Sequence, residues 1–229
     1  MIKVIAFDAD DTLWVNEPFF REAEEEFASL MEGFMPRHSS IKELYLTEIG
    51  NLNLYGYGIK GFILSMIQTA LRISDHKIPV TFIDKILEIG YDMMEKPVEI
   101  LPGVEEVLAE LKGDYRLVMA TKGDLVDQEK KLKKSGLDHY FHHIEIMSEK
   151  KEADFAKLIR HLDVDPEEFL MMGNSLKSDV LPVLELGGHA IHIPFHITWE
   201  HERIEHEVEH DNFYQAEHIT QVLEMIKGM

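Results

Sequence analysis

Hydrophobic residues recur along this chain in two rhythms. From Glu17 to about Lys96 the spacing is helical, beginning with Phe19-Phe20-Arg21-Glu22-Ala23-Glu24-Glu25-Glu26-Phe27-Ala28-Ser29-Leu30-Met31. Further helical stretches lie around Lys42 to Ile49, Gly61 to Ile73 and Val80 to Glu95, with no convincing strand between them. From Leu101 onward strands and helices alternate. Pro102 marks a helix start, and Val104, Val107, Leu108 and Leu111 supply that helix's apolar stripe. Strands are expected over Arg116 to Thr121, His143 to Met147, Phe169 to Met172 and Ala190 to Ile193. Between them fall a Lys/Glu-rich helix closed by Gly136 and a helix carrying Phe155 to Leu162. Such alternation implies right-handed crossovers and a parallel sheet covered on both faces. The fold class is therefore α/β, a Rossmann-like parallel sheet interrupted by an all-helical block. Residues 1–15 and 99–229 form the α/β part and residues 16–98 the helical part.

The first strand carries the most chemistry. An apolar run, Val4-Ile5-Ala6-Phe7, delivers Asp8 and Asp10 at its end. Side chains at i and i+2 of an extended chain share a face, roughly 7 Å apart. The carboxyl ends of parallel strands are also where open α/β sheets bind ligands. A turn-capping role for the pair is the plainer alternative.

Composition narrows the field. At 229 residues the chain can bury a real core, and 45% of it is hydrophobic. The formal net charge of -20 repels nucleic acid and anionic membranes, so neither is expected as a partner. An acidic protein that binds a phosphorylated molecule must screen its own charge, most simply with a divalent cation and lysines. Cysteine is absent, which removes disulfides and thiol chemistry. The chain opens directly on its first strand and has no apolar stretch near 18 residues, so cytoplasmic residence is the expectation.

Three further features fall at strand ends. Thr121-Lys122-Gly123 offers a hydroxyl, a backbone amide and a helix N-terminus to an anion. Lys150, with Lys151 beside it, opens the helix after the third strand. The fourth strand runs into Gly173-Asn174-Ser175-Leu176-Lys177-Ser178-Asp179, a glycine turn followed by hard oxygen donors that suit magnesium.

With these motifs in hand, the chain resembles the haloacid dehalogenase superfamily, in its phosphatase branch, over essentially its whole length. Asp8, Asp10 and Thr12 match the first motif, Asp-x-Asp-x-Thr after an apolar strand. Thr121 matches the second, Lys150 or Lys151 the third, with Lys150 preferred, and Gly173, Asn174 and Asp179 the fourth. Asn174 departs from the family's usual Asp. Leu101-Pro102-Gly103-Val104 looks like the family's usual entry to the helix before the second strand.

The resemblance implies an inserted helical cap and a magnesium-dependent phosphatase working through an aspartyl phosphate. In that scheme Asp8 is the nucleophile and Asp10 the general acid and base, with Thr121, Lys122 and Lys150 on the phosphoryl group. Asp8, Asp10, Asn174 and Asp179 would hold the metal. The implied partner is a small phosphorylated metabolite, a nucleotide or sugar phosphate first, and the protein a monomer or homodimer. Asp10 argues against a dehalogenase, which has no alkoxide to protonate. A phosphomutase, or a binding protein weakened by Asn174, is the alternative.

Two motif-like strings lack the right context. Gly56-x-Gly58-x-x-Gly61 fits a dinucleotide fingerprint, but the surroundings are helical and the segment reads as a loop. His206-Glu207-Val208-Glu209-His210 matches a zinc peptidase by letter, yet its neighbours are charged and it reads as a solvated segment. His189, His192, His196, His201 and His218 add histidine density without a compelling spacing. Trp14, Asn16 and Phe19 read as packing beyond the first motif, with lining of a site entrance as the alternative.

Overall fold

The computed structural model describes residues 1–229. Its elements run β1 (Val4–Phe7), α1 (Glu17–Leu30), α2 (Arg37–Tyr55), α3 (Ile59–Ile73), α4 (Val80–Glu95), α5 (Val104–Leu111), β2 (Arg116–Lys122), α6 (Leu125–Ser135), β3 (His143–Met147), α7 (Glu152–His161), β4 (Phe169–Gly173), α8 (Leu181–Glu185), β5 (His189–His192), β6 (Phe213–Gln215) and α9 (Val222–Ile226). The strands form one sheet in the order β3-β2-β1-β4-β5-β6, and every neighbouring pair is parallel. The winding reverses at β1, with β2 on one side and β4 on the other. In open α/β sheets that reversal opens a crevice at the strands' carboxyl ends.

Period-two alternation sorts the strand side chains into two cores. Ile5, Phe7, Leu117, Met119, Leu170 and Met172 face one way and pack with Val104, Val107 and Leu108 of α5 and with Val222 and Ile226 of α9. Val4, Ala6, Val118, Ala120, Phe169 and Met171 face the other way, against Phe155, Leu158 and Ile159 of α7. Because both faces are covered, β1 and β4 are apolar at every position and buried throughout.

The chain divides into two compact units, Met1–Glu17 with Val98–Lys122 and Gln128–Met229, and Pro18–Pro97 with Gly123–Asp127. The second unit is helical. Ala23, Phe27 and Met31 of the first helical segment pack with Leu44, Phe62, Met66, Ile86, Ile89 and Met93. The Phe20 and Phe62 rings lie 5.2 Å apart. No helix is long and apolar enough to cross a membrane.

Several elements differ from the sequence reading. α5 begins at Val104 rather than at Pro102, after Gly103 in the left-handed region at φ 84°. The strand expected over Ala190 to Ile193 is β5, displaced by one residue. β6 is an addition: only three residues long and half exposed, it gives no apolar run. Gly136, at φ 71°, follows the end of α6 as a left-handed cap.

Candidate active site

β1 ends one residue before Asp8, but the Asp8 backbone N–H still donates to the Met172 carbonyl of β4 at 2.8 Å. The carboxylate is therefore held just past the carboxyl edge of the sheet. Beyond it the chain turns sharply. Asp11 adopts φ 63°, and the Leu13 amide folds back to the Ala9 carbonyl at 2.8 Å. The buried Asp11 carboxylate accepts from the Asn16 and Glu17 amides at 2.8 and 3.0 Å, satisfying donors at the start of α1. Burial pushes its carboxyl up to about 8 against those hydrogen bonds. Asp10 thus owes its direction to a turn, not to strand alternation.

Lys150 completes the innermost cluster. Its ammonium donates to Asp8 Oδ1 and, at 2.7 Å, to Asp179 Oδ1. All three side chains are nearly inaccessible to solvent, whereas Lys151 points outward at 72% exposure. Burial raises the Asp8 pKa, and Asp179 and Asp10 add to that rise while Lys150 opposes it. Burial works against charge on Lys150, but Asp179 and Asp8 outweigh it and hold the ammonium firmly protonated.

The turn after β4 is shaped around Asp179. Its second oxygen accepts from the Ser175 amide at 3.0 Å, and a Cβ on Gly173 would fall 2.2 Å from that oxygen. Only glycine leaves room for this carboxylate. Asn174 extends its amide oxygen to 3.4 Å from Thr12 Oγ1, and that same hydroxyl lies 3.3 Å from Asp8 Oδ2. One hydroxyl proton serves a single acceptor well, so two oxygens converge here with one donor between them. His192 donates from Nε2 to the Asn174 carbonyl at 3.0 Å and fixes the backbone there.

Asp10 belongs to a neighbouring network. Its carboxylate accepts from Trp14 Nε1 at 2.7 Å, Lys131 Nζ at 2.8 Å and Gln128 Nε2 at 2.8 Å. Gln128 Nε2 also lies 3.3 Å from Thr121 Oγ1, which links Asp10 to the buried end of β2. Trp14 is fully buried in the sheet unit's core, so it does not line an entrance. Asn16 accepts from Lys131 at 2.9 Å.

Lys122 faces a third group. Its ammonium pairs with Glu202 and donates to Ser178 Oγ at 2.8 Å. Glu202 also accepts from Ser175 Oγ at 2.5 Å and Ser178 Oγ at 2.6 Å. Burial works against the Glu202 charge, but Lys122 and the two hydroxyls hold its carboxyl down at about 2. Sequence reasoning overlooked Gln128, Lys131 and Glu202. Lys131 looks like one more solvated lysine among Lys130, Lys133 and Lys134, and Glu202 lies in a charge-rich tract.

Neither motif-like string finds its required context. Gly56 follows α2 and Gly58 precedes α3, with no strand ahead of them. Residues 206–210 are not helical, so His206 and His210 do not share a helix face. No group of three or more acidic or histidine side chains gathers as a metal cluster anywhere.

The crystal structure of a haloacid dehalogenase-like family hydrolase from Xanthomonas campestris superposes with a TM-score of 0.90 at 36% identity, covering 99% of this chain and 91% of that one. A glyceraldehyde 3-phosphate phosphatase of Methanopyrus kandleri is 25% identical over 186 residues, 79% of this chain and 78% of the relative. An N-acylneuraminate-9-phosphatase of Mus musculus is 33% identical over 89 residues, 37% of this chain and 36% of the relative. The family model described as haloacid dehalogenase-like hydrolase matches residues 2–187, and the chain belongs to that family of hydrolases.

Proposed function

We propose that the protein is a magnesium-dependent phosphatase of small phosphate monoesters that works through an aspartyl phosphate on Asp8. The observation that carries this reading is the buried Lys150 ammonium held between Asp8 and Asp179 at the carboxyl edge of β1 and β4. Lys150 keeps one Asp8 oxygen engaged and so orients the carboxylate for attack on phosphorus. Thr121 and Lys150, with the backbone of Lys122, would meet the phosphoryl oxygens, where charge must be stabilised as the bond breaks. Asp10 would give a proton to the leaving oxygen and then take one from the water that cleaves the intermediate. Residues 16–98 would serve as the cap that excludes bulk water and contacts the substrate. The phosphatases among the relatives support a small phosphorylated substrate.

The residues fit a hard cation. Asp8 Oδ2 and the Asn174 amide oxygen converge on a single hydroxyl, leaving acceptor capacity that a magnesium ion satisfies. Asp8, the Asp10 backbone carbonyl, Asn174 and Asp179 would hold it. When bound, magnesium supplies positive charge that favours ionised Asp8 and offsets charge on the transferring group.

The test is hydrolysis of an aryl phosphate with magnesium, with zinc and with chelator. Release that requires magnesium and vanishes in Asp8→Asn supports the reading, and release in Asp8→Asn at the wild-type rate overturns the nucleophile. Magnesium titration of Asn174→Asp asks whether that side chain is a ligand. Metal dependence identical to wild type would remove it from the set.

A further inference from the structure

The connection from β5 to β6, residues 193–212, is long for a compact α/β unit, and such loops usually carry function. At its middle, a short turn over Glu200–Glu202 lies against the carboxyl end of the sheet. Lys177 Nζ pins that turn by donating to the His201 carbonyl at 2.6 Å. Glu202 then reaches Lys122, which ends β2, and Ser175 and Ser178, which follow β4. Because β1 lies between β2 and β4, this chain of contacts passes beyond the end of β1, from which Asp8 extends.

We propose that residues 193–212 form a strap over the mouth of the sheet, and that Glu202 is a positioning residue that holds the Lys122 ammonium and lowers the site's affinity for phosphate. The inference rests on the phosphatase reading above. Without Glu202, one negative charge that pairs with the ammonium of the residue next to Thr121 would be lost. Paired, that residue contributes its backbone while its ammonium is turned to Glu202 and Ser178. The chemical advantage concerns turnover. An extra cation that grips substrate and product alike tightens binding without lowering the barrier, and it slows release of inorganic phosphate.

The decisive measurement is calorimetric titration of inorganic phosphate, in magnesium-containing buffer, into wild type, Glu202→Gln, Lys122→Met and the double variant. Glu202→Gln should bind phosphate about tenfold more tightly, the size expected for unmasking one charge at partly solvated range. Its KM should fall with little gain in kcat. The double variant should return to near wild-type affinity, and Lys122→Met alone should bind more weakly, because the Glu202 carboxylate then keeps its two serine donors but loses the cation it pairs with. A folded Glu202→Gln with unchanged or weaker phosphate affinity overturns the proposal. Should that variant not fold, unchanged affinity in Lys122→Met does the same. If wild type neither binds phosphate nor cleaves an aryl phosphate, the phosphatase reading itself fails. If wild type does both while the variants stay flat, only the strap is refuted.

Discussion

The sheet unit hides Asp8, Asp11, Lys150 and Asp179 from solvent, whereas the helical unit hides mainly neutral polar groups, Ser40, Asn51, Ser65, Thr69 and Ser74. Its one buried acid, Glu24, pairs with Arg21 three residues earlier at 2.9 Å. In the helical unit Asn51 donates to Ser65 and Gln68, each at 3.0 Å, and Ser65 donates to the Gly61 carbonyl at 2.8 Å. Those bonds tie α2 to α3 and fix their pairing. Buried charge is far more expensive than buried amide or hydroxyl, and unlike them it can move protons and attack electrophiles. The contrast separates a unit that buries several acids and a lysine from one whose buried polar groups are mostly neutral and, at Asn51, join two helices.

The sharpest way to break this contrast is at Asp8. Asp8→Asn should lower turnover of an aryl phosphate by about 10⁴-fold or more while the protein stays folded, which steady-state assay and thermal unfolding would check together. Next comes Lys150→Met, which leaves Asp8 and Asp179 as buried carboxylates without their cation. Urea unfolding should show a loss of about 3–5 kcal/mol, the penalty for removing one member of a buried ion pair. Stability unchanged by that substitution would mean that the buried charges are not coupled as described.

Glu202 supplies a pH-dependent counterpart. Its folded pKa of about 2 lies below the ordinary glutamate value of 4.5, so its ionised form is favoured in the folded state. The stability it contributes, roughly 3 kcal/mol by linkage, is fully present above pH 4.5 and disappears as pH falls through 2. Glu202→Gln should flatten that part of the acid unfolding curve. Smallest of all should be Asn51→Ala in the helical unit. Loss of its two hydrogen bonds should cost about 1–2 kcal/mol in urea and leave the turnover number within about twofold.

The same contrast explains what the sequence disclosed. Asp8, Thr121, Lys150 and the Gly173 to Asp179 turn follow apolar runs whose rhythm announces a strand, so their place at one edge of a sheet could be inferred from order alone. The helical block was legible for a similar reason, because α1, α3 and α4 carry apolar stripes at helical spacing, whereas α2 buries Ser40, Leu44 and Asn51 and has no such stripe. Gln128, Lys131 and Glu202 carry no such marker. Their partners are Asp10, Lys122 and the two serines, and those meetings arise only when distant strands close into one edge. Lys122 shows the limit from the other direction: its position beside Thr121 was readable, but its pairing with a glutamate 80 positions later was not. β6 escaped notice because three half-exposed residues generate no period.

The indole of Trp14 touches Asp10, and the chain has just two tryptophans, the other being Trp199 in the β5–β6 connection. Both reside in the sheet unit. Ultraviolet emission excited at the indole band is consequently a built-in reporter placed in the sheet unit alone. Quenching or a spectral drift on adding a ligand would register events around Asp10 or the β5–β6 connection without any label, while changes confined to α2 or α4 would have to be followed through their tyrosines.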